Sequence, residues 1–387
     1  MKRKSFIAAG AGSLAIAGAL PSKAVAQTPA ATPQKPQPER FGRRALVLSG
    51  GGSFGSYQAG VIQALVEQQG VKDGEPLDFD MVCGTSIGGL GGYLVATAQY
   101  SALRSLWREK IATMHIADLK TPYNKIPNSD AGVLTRFGAA ISLGLGAANG
   151  LEGILDNAGF HNLLKEYIDP SQPVHLPLYV ATTDLTRQDG KVFVRRATTP
   201  AGLPKQALND RLLANFRSDF VQIRVADDEI LREVLYSTAA IPIAFDPGRI
   251  PNPEGTAFDQ YVDGGVTQNI PIGVARRCVE NLQVVLVDPP PSDKPVNYTG
   301  LLDISLGVFT TMQRRILEYQ VLLAFAESTT ILPFVPTIIR PQGNLAGSFV
   351  VFDDQADLTY NYDLGYRDGH TGWQPFNSTL ESAQVSQ

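Results

Sequence analysis

Residues 44–55 read RALVLSGGGSFG, and this stretch decides the fold class. A short run rich in leucine and valine, Arg44 to Ser49, ends in the glycine loop Gly50 to Gly55. From Ser56 to Gln69, Tyr57, Val61, Ala64 and Leu65 then fall on one helical stripe, which Gly70 stops. Strand, glycine loop and helix in that order open a parallel α/β unit. The pattern recurs directly: residues 79–83 (FDMVC) read as an apolar strand, 84–88 (GTSIG) as a tight corner, and Gly89 to Gln99 as an apolar helix. Both helices are apolar enough to pack on a sheet.

Further along, helices are expected at 101–114, 153–168 and 228–237, from Pro271 to about Val279, and from Leu301 to Leu332. Strands are expected at 176–185, with 191–195 as its hairpin mate, and at 260–262 and 282–287. Residues 120–150 are rich in glycine and alanine and read as irregular surface. The last 45 or so residues are polar and aromatic, with no clear period. No internal repeat or clean linker interrupts 41–340, so a single catalytic-sized domain is expected over 41–300, with 301–387 as a helical and irregular extension packed on it.

The chain has 387 residues, 44% hydrophobic and 18% charged, enough apolar material for a large core and too little charge for a disordered chain. A formal net charge of −4 gives no basic excess, which argues against a nucleic-acid partner. Only two cysteines, Cys83 and Cys278, exclude a disulfide-stapled scaffold and a thiolate-rich metal site; both lie in apolar sequence and are expected as separate buried thiols.

At the N-terminus Lys2, Arg3 and Lys4 precede an uncharged apolar run of 15 residues from Phe6 to Leu20, then Ala24-Val25-Ala26. The run is short of the roughly 20 residues that span a bilayer. Basic start, apolar middle and small-x-small exit read as a cleavable export signal over residues 1–26, the alternative being an uncleaved N-terminal anchor helix. Removing it takes away Lys2, Arg3, Lys4 and Lys23 and no acid, so the formal net charge falls from −4 to −8. Residues 27–40, with four prolines and no apolar period, read as an extended tether. The exported protein is expected in the periplasm or outside the cell.

Three segments carry candidate chemistry. The glycines at 50, 52 and 55 satisfy G-x-G-x-x-G after a strand, so three uses stand open: a nucleotide site, an oxyanion hole built from backbone N–H groups, or a structural turn. In 84–88 two glycines flank Ser86 at one residue's remove, between a strand and a helix, which is the nucleophile-elbow pattern. In 261–265 (YVDGG) a strand-end aspartate, Asp263, is exposed by two following glycines; the alternative is a plain Asp-Gly turn. A nucleophilic serine needs a base. Of the four histidines, His115, His161 and His175 sit in or near helices or between prolines, and His370 comes late, where an α/β-hydrolase would place it. Ser86, however, follows the first strand too closely for that fold, and Asp263 is better placed than any histidine.

Taken in order, these motifs resemble the patatin-like phospholipases, serine acyl hydrolases with a Ser–Asp dyad. Gly50 to Gly55 is similar to the family's oxyanion loop, Ser86 in GTSIG to its nucleophile and Asp263 in DGG to its catalytic aspartate. Residues 153–164, 178–185 and 237–245 (STAAIPIAF) agree, as do Asn269 and Pro271 after the aspartate, so the resemblance covers roughly 43–290. It implies a mostly parallel central sheet sandwiched between helices. It implies also a lipid acyl ester as substrate, an acyl-Ser86 intermediate, Asp263 as general base, and an oxyanion hole at Gly51, Gly52 and Ser53. Neither metal nor other cofactor is implied. Phe54 departs from the family, which commonly has Arg or Lys there; the loss of charge favours a neutral-lipid or short-chain ester as the alternative substrate. A non-catalytic lipid-binding protein of the same fold is the rival of another class. For the helix after Leu301, with Ile304, Val308, Met312, Ile316 and Leu323 as its apolar positions, the readings are a cover over the sheet or mouth, or contact with a membrane surface or partner subunit.

The export reading has a direct check. Mass spectrometry of the mature protein should find Gln27, or its cyclised form, at the N-terminus; a chain that keeps Met1 or Lys2 would contradict it.

Overall fold

A computed structural model describes residues 42–116, 118, 120, 152–214, 222–288, 301–330, 335–348 and 350–375. The segments expected as export signal and tether, and almost all of 120–150, therefore lie outside the described residues. Arg40–Gln387 is one compact unit.

Its centre is a ten-stranded sheet. Strand β1 (Gly42–Leu48) lies in the middle, with β2 (Met81–Thr85) on one side and β8 (Val279–Val285) on the other, all parallel. Beyond β2 come β3 (Leu178–Asp184), parallel, then β4 (Asp189–Arg195), antiparallel, and β5 (Gln222–Val225). Beyond β8 come β9 (Val335–Ile339) and the two-residue β10 (Gln374–Pro375). The antiparallel ribbon β6 (Gly248–Pro251) and β7 (Phe258–Asp263) joins the sheet at β3. The sheet is mixed, with its centre parallel.

Side chains alternate across this sheet, and each face feeds its own core. Leu46, Leu48 and Val82 point into the larger core, where α1 (Gly55–Gln69), α2 (Ile87–Ala96), α3 (Tyr100–Ser105), α4 (Ala158–Tyr167) and α6 (Leu231–Ser237) pack. Ala45, Val47, Met81 and Cys83 point the other way, to α5 (Leu203–Ala214) and α7 (Ile272–Cys278) and to Leu317 of α8 (Leu301–Thr330). Burial on both faces explains why β1 and β2 read as continuous apolar runs rather than alternating ones. Cys83 and Cys278 are both buried and free.

One expectation is corrected, and two elements that the sequence left open are placed. The helix expected from residue 153 starts at Ala158, because Gly153 forms a β-bridge with Ile243 and Lys120 pairs with Asp246 beside it, holding 153–155 extended against the 243–246 segment. The irregular C-terminus contains a 17-residue helix, α9 (Gln355–Thr371), capped by Asp354, whose carboxylate accepts from the N–H groups of Ala356 and Asp357. In α8 the apolar positions Val308, Met312 and Leu323 face outward, at 54%, 48% and 56% exposure. Leu317 and Phe309 pack α8 onto the two cores, and polar contacts add to this: Arg314 donates two hydrogen bonds to Asp288, and the Gln320 side chain accepts from Ile270 N–H. No helix among the described residues is long and apolar enough to cross a membrane.

Helix α9 lies against α1, the helix that follows the glycine loop. The two backbones touch at glycines: a β-carbon on Gly60 would strike the Tyr362 carbonyl, and one on Gly365 the Tyr57 carbonyl. Tyr57 also donates to Asp368 across this seam at 3.1 Å.

This close approach gives a prediction with an informative sign. Helix propensity alone would make Gly365→Ala stabilising by about 1 kcal/mol. The backbone clash should reverse that, costing about 1–3 kcal/mol in urea unfolding. A stabilised Gly365→Ala protein would contradict the packing.

Candidate active site

The register of β3 brings the two candidate catalytic residues together. Strand β2 runs parallel along one edge of β3 and ends its pairing with Thr85 opposite Ala181. The other edge is taken along its whole length by β4. Strand β7 therefore continues on β2's edge, running the opposite way, and its last residue, Asp263, lies opposite Thr182. Ser86 and Asp263 thus stand where two strands meet end to end along a third. Gly264 is pressed against the Ala181 carbonyl and the Thr85 methyl at this junction.

Ser86 occupies a strained corner, with φ 55° and ψ −130° between β2 and α2. A non-glycine residue with positive φ is unfavourable and is kept only where the surroundings enforce it. Here they do. A β-carbon on Gly88 would lie 2.6 Å from the carbonyl oxygens of Leu48 and Ser49, and one on Gly84 would collide with the Gly88 carbonyl, so the corner needs both glycines. The Ser86 N–H donates to Thr238 Oγ1 at 2.8 Å, and Thr238 Oγ1 donates to the Ala181 carbonyl at 2.5 Å. The same segment fixes the acid: Asp263 N–H donates to the Ala240 carbonyl and Gly264 N–H to that of Thr238, at 2.9 and 3.1 Å.

The Asp263 carboxyl is buried, with one oxygen accepting from Gly265 N–H at 2.6 Å and the other, Oδ2, without a partner. Burial pushes its pKa from 3.8 up to about 7, against the downward pull of the Ser86 hydroxyl and the Gly265 N–H. The serine hydroxyl is thus near enough to act on the carboxyl, although it does not form a fully aligned hydrogen bond with Oδ2. Catalytic hydrogen bonds are often loose before substrate binds.

The glycine loop lies beside this pair. A β-carbon on Gly50 would sit 3.2 Å from Ser86 Cβ, and Gly52 shares a cavity wall with Ser86. Gly52, Ser53 and Phe54 form a single 3-10 turn leading into α1, and N–H groups at such a start have no acceptor within their own helix. Ser53 Oγ donates to the Ser348 carbonyl at 2.9 Å. Phe54, where the family commonly has a cation, is half-buried against the apolar core.

The cavity beyond Ser86 is apolar, walled by Ile116, Phe160, Leu163, Ile241, Phe245 and Phe352, with a volume of about 20 Å³. The histidines are engaged elsewhere. His115 is exposed beside Asp118, His161 stacks on Tyr236, and His370 sits near Glu67 and Tyr366 on the outer side of α9; burial lowers the pKa of His175.

Four contributors escape a reading of motifs. Thr238 lies inside the segment 237–245 but has no chemical signature of its own. Gln313 reaches from α8 to Gly265, while Ser348 and Phe352 come from coil close to the C-terminus. Only the fold brings these last three near Ser86 and Asp263.

Several known proteins share parts of this sequence. Over 79 residues it is 37% identical to the triacylglycerol lipase ptl2 of Schizosaccharomyces pombe, covering 20% of this chain and 11% of that protein. Over 73 residues it is 42% identical to a patatin-like phospholipase domain-containing protein of Pyricularia oryzae, covering 19% of this chain and 8% of the other. The matches thus span about a tenth of these relatives' lengths. Among solved structures, VipD from Legionella pneumophila superposes with TM-score 0.34 at 14% identity, over 85% of this chain and 66% of that one. The family model described as Patatin-like phospholipase matches residues 46–276, from β1 through the elbow and Asp263 into α7. The chain belongs to the patatin-like phospholipase family.

Proposed function

We propose that this protein hydrolyses acyl esters of lipids, with Ser86 as nucleophile and Asp263 as the base that activates it. The observation that carries the reading is the junction on β3: a strained serine and a buried, half-satisfied carboxyl, with a glycine loop beside them. In the reaction, Ser86 Oγ attacks the ester carbonyl carbon as its proton passes to the Asp263 carboxylate. The oxyanion that forms is held by the N–H groups of Gly51, Gly52 and Ser53. When the tetrahedral adduct collapses, the C–O bond to the alcohol breaks and the alcohol leaves with the proton from Asp263. Water then attacks acyl-Ser86, giving its proton to Asp263; the acid is released and the proton returns to Ser86.

The unusual base supports this cycle. At its ordinary pKa a carboxylate is a weak acceptor at neutral pH, whereas one raised to about 7 is matched to the task. The same burial makes protonated Asp263 a weaker acid than an ordinary carboxyl, yet still a far stronger one than an alcohol, so its proton can pass to the departing alkoxide.

On the substrate, the apolar lining beside Ser86 suits the acyl side of an ester in chemistry, while its small volume limits how much of a chain it holds. Phe54 and the small cavity favour a neutral or short-chain ester over an anionic phospholipid, because no cation stands at that point of the loop.

Two measurements check the assignment of the base. Asp263→Asn should lower kcat by about 10²–10⁴-fold, the range for a lost acid–base group, while His370→Ala stays within a few-fold of wild type. A dead His370→Ala beside an active Asp263→Asn would replace the dyad with a histidine mechanism. In the wild type, kcat/KM should fall as pH drops through about 7, because the base must be deprotonated.

Stability should move the opposite way. A carboxyl whose pKa rises on folding contributes stability that is present below its unfolded value, near 3.8, and lost as pH rises through about 7. Asp263→Asn does not titrate, so relative to wild type it should gain up to about 4 kcal/mol between pH 4 and pH 8. A stability difference that is flat over this range would contradict a raised pKa.

A further inference from the structure

Part of the cavity beside Ser86 is built from chain beyond the span that the family model matches. Phe352 stands 76 residues after its end at 276, in coil between β9 and α9, yet is only 8% exposed. It packs in the same core as Ile87, Phe160, Ile241 and Phe245, and it lines the cavity that Gly52 and Ser86 also line.

The ring is firmly placed. Two residues later Asp354 caps α9, which is locked to α1 by the glycine contacts and the Tyr57–Asp368 hydrogen bond. Four residues earlier the Ser348 carbonyl accepts from Ser53 of the glycine loop. Before that, Ala346 exchanges two hydrogen bonds with the Asn361 side chain, from its N–H at 2.8 Å and to its carbonyl at 3.0 Å. Contacts of Ala346 and Ser348 before it and of Asp354 after it therefore hold Phe352 in place, with its ring in the core.

Space sets the consequence. A cavity of about 20 Å³ has room for about one water, far less than a medium or long acyl chain needs. The walls contributed by Phe160, Ile241 and Phe245 belong to the packed interior under the sheet. Among the described residues of the wall, Phe352 is the large side chain that arrives on coil from outside the family span.

We propose that Phe352 sets the length of acyl chain that the site accepts, by blocking the cavity that a longer chain would enter. The proposal rests on the ester-hydrolase reading above. The leaving-group side of the ester is not involved; Phe352 acts on the acyl side alone.

The test compares kcat/KM on p-nitrophenyl butanoate and p-nitrophenyl octanoate, below their aggregation limits, for wild type, Phe352→Leu and Phe352→Ala. Burial of one methylene corresponds to about a fourfold preference, so accommodating even two of the four extra methylenes gives at least about tenfold. The octanoate-to-butanoate ratio should therefore rise from wild type through Phe352→Leu to Phe352→Ala, by about tenfold or more at the end of the series. Should Phe352→Ala fail to fold, as judged by its melting transition, a rise of about threefold or more in Phe352→Leu is the expected result. A ratio within twofold of wild type in folded variants would overturn the proposal alone, as would a wild type that already prefers octanoate. Wild-type protein inert toward both esters and toward triacylglycerol and phospholipid would overturn the hydrolase reading and this proposal with it.

Discussion

The site depends on how one strand edge is shared. Strand β3 is long enough to pair with β2 over Leu178 to Ala181 and with β7 over Thr182 to Asp184 on the same side, because β4 fills the other side completely. Two strands that approach head-on along one edge must stop where they meet, and the residues at their ends are forced together. One end is Ser86 and the other Asp263. Thr238 bridges the gap by accepting from the Ser86 N–H, while its own carbonyl accepts from Gly264. Two residues 177 positions apart are thus placed by backbone pairing rather than by side-chain fit. Such placement resists the small rearrangements that would otherwise cost a positioned base its reach.

That arrangement leaves polar atoms unsatisfied. Asp263 Oδ2 and Asn269 Oδ1 are both buried without hydrogen-bond partners, and Asn269 faces Gly50 and Gly265, on either side of Ser86 and Asp263. Buried groups of this kind destabilise a fold, and natural proteins keep few of them. Here the cost has an evident return. Burial pushes the carboxyl's pKa up to about 7 with no charged group among the described residues acting on it, and in the proposed mechanism the unused acceptor takes the serine proton. The same low polarity continues into the apolar cavity, so the raised pKa and, in the proposed reaction, the acyl side of the ester both draw on water exclusion around Ser86.

How much of this was legible in the sequence differs from element to element. The two strand–glycine–helix units and the DGG corner were legible, because a strained serine corner permits only small neighbours and a parallel strand buried on both faces reads as continuous apolar sequence. Helix α9 was not. Its stretch 355–371 mixes Tyr, Asp, Gly and Asn, and its two glycines, Gly365 and Gly369, suggest a break where they serve a close crossing with α1 and pack against Tyr57, Val61 and Ala64. In α8 the apolar pattern did not settle which face meets the protein: Gln313 and Gln320 touch the segment that follows Asp263, while Val308, Met312 and Leu323 look outward. Periodicity identifies a face that is apolar, and does not say whether that face or its opposite meets the protein. Likewise, Ser348 and Phe352 have no local motif, since their role comes entirely from the register of β9 and the docking of α9.

The central claim is that Ser86 becomes a covalent nucleophile only with the help of Asp263. Its most direct test is to treat the protein with an alkyl fluorophosphonate, follow adduct formation by intact mass, and locate the adduct by peptide mapping. A single adduct on Ser86, absent in Ser86→Ala and formed at least about 10²-fold more slowly in folded Asp263→Asn, is the predicted result. An adduct on another residue, or labelling of Ser86 at an undiminished rate in Asp263→Asn, would contradict it.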